Sequence, residues 1–264
     1  MRLVDAHNHL QDCRFGDDLP HVLCEMRNEG IRHAVVNGTR QSDWSSVVSL
    51  CVDCQNFLTP ALGLHPWYVS SRSSSWMEEL RHDLARADHS TIGECGLDLW
   101  REQSDLHDQT QVLHMHLQLA RELDKPLTLH CLKAWQPLMA LLKSTAPLPP
   151  FLLHSFSGPQ AMIPALVKLG AYFSLSGYFL TERKAKALGV FAQIPMDRLL
   201  VESDAPDMAP PREYRGPYYR EQYHHPADLV SCVNALAALK EIPADVCAEI
   251  CWQNTQQWLR RKLD

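Results

Sequence analysis

The sequence predicts an α/β protein of the (β/α)8 barrel type. Three observations carry that expectation. Eight short apolar runs alternate from end to end with longer amphipathic stretches. The length of 264 residues suits one barrel. No Gly-rich dinucleotide fingerprint follows the first apolar run, which counts against the doubly wound open sheet. Strands are expected at Leu3–His7, His33–Asn37, Thr59–Leu64, Thr91–Gly96, Leu127–Cys131, Phe151–Ser155, Tyr172–Ser176 and Leu199–Asp204. Apolar residues at helical spacing predict helices over Leu19–Asn28, Ser42–Cys54, Ser75–Arg86, Asp105–Leu123, Ala134–Lys143 and Gln160–Leu169. Glu182–Phe191 carries a weaker pattern, and Pro226–Leu239 and Ala244–Arg261 close the chain. No linker or internal repeat divides the sequence, so residues 1–264 read as a single domain. The longest irregular segment, Asp204–His225, is rich in Pro, Arg and Tyr. It follows the last strand, so in a barrel it would arch over the catalytic face.

Composition excludes several classes. With 45% hydrophobic and 21% charged residues, the chain is neither disordered nor fibrous. It lacks the apolar run that a membrane span needs. Met1-Arg-Leu-Val-Asp5 puts charge where a secretory signal needs an apolar stretch. The nine irregularly spaced cysteines then read as reduced thiols of a cytoplasmic protein. Cys51 with Cys54, and Cys247 with Cys251, read as helix-face residues. The net charge of −6 lacks the basic surplus of a non-specific nucleic-acid binder. A nucleic-acid role would therefore rest on a local basic groove or on bound metal ions.

The chemistry gathers at strand ends. In Asp5-Ala-His7-Asn-His9, alternation puts Asp5, His7 and His9 on one face of the first strand. Two imidazoles at a strand end form half of a divalent metal site. Alone, the pair would be weak evidence in a chain with 14 histidines. But Glu94, His130, His154 and Asp204 lie at the ends of the fourth, fifth, sixth and eighth strands. Any one of these reads equally well as a satisfied polar residue at a barrel mouth. Together they converge on the rim where barrel active sites are built. Six N and O donors suit two divalent ions sharing Glu94. His7, His9 and Asp204 would complete one site, and His130 and His154 the other. The absence of cysteine argues against a closed structural zinc site, and the donors are compatible with Zn, Mn or Mg. Two adjacent ions can activate water and clamp the oxygens of a hydrolysed ester.

Along nearly its whole length the chain resembles the TatD family of metal-dependent deoxyribonucleases, within the amidohydrolase-like barrels. The resemblance runs through Asp5-Ala-His-Asn-His9, Gly63-Leu-His-Pro66, Ile92-Gly-Glu-Cys-Gly-Leu-Asp98, Pro126-Leu-Thr-Leu-His-Cys131, His154-Ser-Phe-Ser-Gly158 and Leu200-Val-Glu-Ser-Asp-Ala-Pro206. It implies a (β/α)8 hydrolase with one to two divalent ions, often a 3′–5′ exonuclease on DNA or RNA. Relatives in the wider group hydrolyse amides and esters, and a few act as deacylases. The chain departs from the family where Leu132-Lys133 replaces the usual Arg and polar residue. It departs again where Tyr223-His-His-Pro226 replaces an Arg-x-Asn-x-x-Pro approach. A nuclease uses such groups to hold phosphate, and Lys133, Arg212, Arg215 and Arg220 are the candidates to substitute.

The expected enzyme is a metal-dependent phosphodiesterase acting on nucleic-acid ends, with metal-activated water as nucleophile. Asp204 would act as general base, Glu94 as bridge, and His65 or Lys133 would assist the phosphate. Neither a membrane nor an obligate protein partner is implied. The rival reading is a metal-dependent deacylase or amidohydrolase on a small or tRNA-linked substrate, which Leu132 and the acidic balance favour. A non-catalytic metal-binding protein is the third reading. His65 reads either as a substrate contact or as a cap on the turn before Pro66. Glu202 and Asp5 are expected to orient ligand histidines. Asp98 reads as a turn or helix-start residue, and His114 and His116 as helix residues without a metal role. Trp67, Tyr68 and Trp100 read either as base-stacking rings or as the core of a lid.

Overall fold

The computed structural model describes residues 1–87 and 89–263. Eight strands form one parallel sheet in sequence order: β1 (Leu3–Asn8), β2 (Ile31–Asn37), β3 (Leu58–Leu62), β4 (Thr91–Asp98), β5 (Leu127–Leu132), β6 (Phe151–Leu153), β7 (Ala171–Ser176) and β8 (Leu199–Glu202). Helices follow the strands: α1 (Leu19–Asn28), α2 (Trp44–Asp53), α3 (Trp76–Arg86), α4 (Leu106–Leu123), α5 (Trp135–Thr145), α6 (Ile163–Lys168), α7 (Ala185–Val190), α8 (Leu229–Leu239) and α9 (Ala244–Leu259). The fold is a (β/α)8 barrel. At the seam, β8 meets β1 through bonds made just beyond its last residue. Asp204 N–H donates to His7 O at 2.9 Å, and His9 N–H to Ala205 O at 2.8 Å.

The elements form where local chemistry permits. Pro20 opens α1, where a missing N–H costs nothing, and Val22, Leu23 and Met26 bury one face. Asp105 caps α4 by accepting from Asp108 N–H at 3.0 Å, and the left-handed Asp124 ends it. α7 buries no residue fully and is flanked by 3-10 turns, which explains its weak sequence pattern. β6 and β8 stop short of the expected strands, so His154 and Asp204 are loop residues.

Two apolar clusters organise the molecule. The larger lies between sheet and helices. The smaller joins Val4, Ala6, Val35, Ala61, Leu152, Tyr172 and Leu200. These come from strands all round the sheet, so they meet only inside the barrel. Trp252 and Trp258 of α9 belong to the same cluster. Trp258 Nε1–H reaches Leu127 O at 3.1 Å and Asn254 Nδ2–H reaches Leu199 O at 2.8 Å. Those carbonyls begin β5 and β8, so α9 plugs the N-terminal mouth. The opposite mouth is left to polar side chains.

Residues 204–225 are tied to the first βα loop and α1. Arg14 pairs with Asp207 at 2.8 Å, and Tyr223 OH donates to Asp18. Arg220 pairs with Asp18 at 2.8 Å and Glu25 at 3.1 Å. Arg220 is therefore a structural cation here and not the phosphate ligand that the sequence allowed.

His116 is part of the core. Its Nδ1–H donates to Val112 O at 2.8 Å and its Nε2 accepts from Leu64 N–H at 3.2 Å. The bond from Leu64 requires a neutral ring with a lone pair on Nε2, and burial lowers its pKa to about 4. The unfolded ring titrates near 6.5. Stability from this group is therefore full above pH 6.5, falls between pH 6.5 and about 4, and is gone below that. The expected loss is on the order of 3 kcal/mol. It should appear as a steeper acid limb for wild type than for His116→Gln in urea unfolding from pH 8 to pH 4.

Candidate metal centre

The polar mouth is assembled from strand ends. His7 comes from β1, Glu94 from β4 and His130 from β5, while His9, His154 and Asp204 follow β1, β6 and β8. Their donor atoms face one another in two groups. His7 Nε2 lies 3.3 Å from His9 Nε2 and 3.4 Å from Asp204 Oδ1, and His9 Nε2 lies 3.5 Å from Asp204 Oδ1. Glu94 Oε2 joins this group at 3.4 Å from His7 and 3.6 Å from His9. Tetrahedral bonds of about 2.1 Å place ligand atoms roughly 3.4 Å apart, so these spacings fit one small divalent ion. The second group is Glu94 Oε1, His130 Nδ1 and His154 Nε2, with separations of 3.0, 2.9 and 2.9 Å. Bonds of about 2.1 Å at right angles place donors roughly 3.0 Å apart. One carboxylate thus turns an oxygen to each group.

Two of the ring nitrogens facing away from the centre are held by hydrogen bonds. His9 Nδ1–H donates to Asn37 O at 2.7 Å and His130 Nε2–H to Asp98 Oδ2 at 2.9 Å. His154 Nδ1 faces Glu202 Oε1 at 3.6 Å, and Ser174 Oγ–H donates to the other oxygen of Glu202. The bonds to His9 and His130 each fix a tautomer and leave the inner nitrogen with a lone pair, as metal-binding histidines require.

Electrostatics also favour a cation. Burial pushes the Glu94 carboxyl up, but the charges of His154 and His65 and hydrogen bonds from His130 and His154 hold it well below its usual range. Burial pushes His9 down, yet its hydrogen bond to Asp204 and the charges of Glu94 and Asp204 raise it to about 9. His130 and His154 are raised against burial by Asp98 and Glu94, and by Glu94 and Glu202. The carboxylates therefore draw positive charge into the mouth.

The other candidates divide. His65 caps the turn before Pro66, where Nδ1 accepts from Trp67 N–H at 3.1 Å, and its Nε2 faces Glu94 Oε1 at 3.5 Å. Burial holds its pKa well below the ordinary value despite Glu94, so a neutral His65 presents Nε2–H to the centre. Lys133 is exposed, its Nζ 4.2 Å from the centroid of Trp100. Glu202 stands behind His154, as expected. Asp5 differs from expectation. The β1–β2 register slips between Asp5 and Asn8, which breaks strict alternation. Asp5 instead accepts from Ser203 N–H at 2.9 Å, Ser203 Oγ–H at 2.6 Å and Asn8 Nδ2–H at 3.0 Å. It fastens the seam and makes no bond to a ligand ring.

Asp98 is the residue that sequence reasoning undervalued. It does cap a turn, accepting from Trp100 N–H at 2.6 Å, but its second oxygen holds His130. The signal was available, since Asp98 stands four residues from Glu94 on one strand and so shares its parity. Gly96 between them has φ +154°, and a Cβ there would collide with the His130 carbonyl oxygen. Only glycine lets β4 approach β5 so closely beside the site. Asp98→Ala should weaken metal binding by roughly 10–100-fold. Asp98→Asn, which keeps an acceptor, should recover part of that loss in a chelator-competition titration.

The barrel and the metal-fitting cluster at its C-terminal mouth define a metal-dependent hydrolase. A family signature described as TatD related DNase matches residues 4–260. The chain belongs to the TatD-related DNase family. It is 28% identical over 260 residues to the protein named 3′-5′ ssDNA/RNA exonuclease TatD of Edwardsiella piscicida, covering 98% of this chain and 99% of that one. It is 30% identical over 256 residues to the uncharacterized metal-dependent hydrolase YjjV of Escherichia coli K12, covering 96% of both. The crystal structure of the Escherichia coli YjjV protein superposes with a TM-score of 0.90 at 29% identity, covering 99% of each chain.

Proposed function

We propose that this protein is a 3′–5′ exonuclease that hydrolyses phosphodiester bonds at single-stranded DNA or RNA ends. The observation that carries the reading is Glu94, whose two oxygens serve two separate donor groups a few ångströms apart. In this reading His7, His9 and Asp204 would hold one divalent ion, His130 and His154 would hold a second, and Glu94 would serve both. Bound ions of this kind supply Lewis acidity and lower the pKa of coordinated water. The chain's own groups do the rest. Asp204 takes the proton of the attacking water on its carboxylate. His65 directs its Nε2–H at a phosphate oxygen, and Lys133 adds a positive charge at the mouth. Asn37 O, Asp98 and Glu202 keep the ligand rings oriented. The name of the Edwardsiella piscicida relative supports the choice of substrate.

No described helix is long and apolar enough to cross a membrane. All nine cysteines are free, which accords with the cytoplasmic location we propose. Leu132 favours a second reading, since it puts an apolar side chain where the family resemblance expects a phosphate-binding Arg. That reading is a deacylase acting on an uncharged ester. Purified protein should degrade a 5′-labelled single-stranded oligonucleotide from its 3′ end. Chelation should stop the reaction, and a divalent ion should restore it. Lys133→Ala should slow the oligonucleotide reaction while sparing an uncharged ester. Ester hydrolysis without any oligonucleotide degradation would establish the deacylase instead.

A further inference from the structure

Beside the metal centre, the loops after β2, β3, β4 and β5 are joined by three pairs of a cation and an aromatic ring. Arg40, after β2, lies 4.1 Å from the ring centroid of Tyr68, after β3, and its Nη2–H donates to Tyr68 OH at 3.0 Å. Arg101, after β4, lies 3.8 Å from the centroid of Trp67, after β3. Lys133, after β5, covers Trp100, after β4. In every pair, the cation and its ring come from neighbouring loops. The pairs also interlock along the chain, since Tyr68 follows Trp67 and Arg101 follows Trp100. The result is a continuous arc around one side of the mouth.

The arc touches the metal centre at both of its tryptophans. The Trp67 ring packs edge-on at 5.0 Å from His65, whose ring is 4.5 Å from His130. The Trp100 N–H is bound by Asp98, the residue that holds His130.

Rings that merely stapled loops together would be buried. Trp100 is 61% exposed and Trp67 37% exposed, while Arg40, Arg101 and Lys133 are all exposed. A cation on one side of a ring leaves the rest of its π surface for another planar group. Flat rings alternating with cations match a polymer in which planar bases alternate with phosphates. An uncharged ester or an acyl chain would have no use for the cations. The arc also supplies a local positive surface in a chain of net charge −6, with Glu102 the acid beside Arg101.

We propose that this arc is the binding track for single-stranded nucleic acid. It would stack the bases next to the scissile bond on Trp67 and Trp100, and pair their phosphates with Arg40, Arg101 and Lys133. This proposal rests on the exonuclease reading and adds the residues that distinguish a strand from a small diester.

The test uses Trp100→Ala, a substitution at an exposed ring, with Trp100→Phe as the conservative control. A stacked base is worth about 1–3 kcal/mol, or roughly 5–150-fold. Trp100→Ala should therefore raise KM for a single-stranded 12-mer by at least roughly 5-fold with little change in kcat, and Trp100→Phe should recover most of that loss. Fluorescence anisotropy of a labelled 12-mer in EDTA should show the same weakening without turnover. Wild type should bind a 12-mer with abasic residues near its 3′ end more weakly than the intact one, and Trp100→Ala should discriminate the two less, since one of its two stacking rings is already gone. Hydrolysis of a small phosphodiester that carries no base should change far less than hydrolysis of the 12-mer. If wild type degrades the 12-mer and Trp100→Ala matches it in KM and anisotropy, the track is wrong and the exonuclease reading stands. If wild type neither binds nor degrades the 12-mer but cleaves esters, both are wrong.

Discussion

Replacing Glu94 with glutamine should empty the metal centre and abolish turnover. The side chain is almost wholly buried, and its two oxygens face five histidines. Glutamine keeps the shape but turns an NH2 group toward one of the two donor groups, where it cannot ligate. The metal content of the purified protein should fall by at least one ion per chain. Turnover should fall by roughly 10³-fold or more, since ions of this kind supply several kcal/mol of transition-state stabilisation. Glu94→Ala should be at least as inactive but also less stable than Glu94→Gln, because it leaves a cavity where the buried side chain stood. Elemental analysis and steady-state kinetics on the same samples decide the matter. Full metal content with wild-type turnover in Glu94→Gln would remove Glu94 from the centre.

Asp204→Asn should separate binding from catalysis. Asn can still offer a carbonyl oxygen where Asp204 Oδ1 faces His7 and His9, but it cannot take a proton. Turnover should fall on the order of 10²–10⁴-fold, with KM for the oligonucleotide little changed and metal affinity falling much less than kcat. Equal falls in affinity and turnover would make Asp204 a ligand only.

Much of this was legible in the sequence because its signals are local. Apolar runs mark strands, and a barrel puts its reactive side chains at strand ends, so His7, His9, Glu94, His130, His154 and Asp204 could be chosen without knowing which strands face each other. What depends on register was not legible. The bond from Asp98 to His130 crosses from β4 to β5, and parity says which face a residue takes but not how far along the neighbouring strand its partner lies. Asp5 was misjudged for a related reason, since a slip in the β1–β2 ladder ends the alternation on which its assignment stood. Asp204 reaches the centre by another route than the expected one. The strand ends at Glu202, and a left-handed backbone with φ 55° turns Asp204 inward. Arg220 looked available because the acids that engage it, Asp18 and Glu25, lie near the opposite end of the chain.

The seam ties catalytic competence to the completion of synthesis. Asp5 grips Ser203 across 198 positions of sequence, and one set of donors is drawn from the end of β1 and from the loop that follows β8. A ribosome-bound chain that has not yet extruded its eighth strand has His7 and His9 but lacks Asp204 and the partner strand that holds them in place. An enzyme able to trim nucleic acid would then stay inert while tethered beside messenger and transfer RNA. Once the last strand docks, an ion held by His7, His9 and Asp204 would link the two ends of the chain and resist their separation, since whatever binds only the folded state stabilises it by mass action. The ion would thus serve as the clasp of the barrel as well as its reagent.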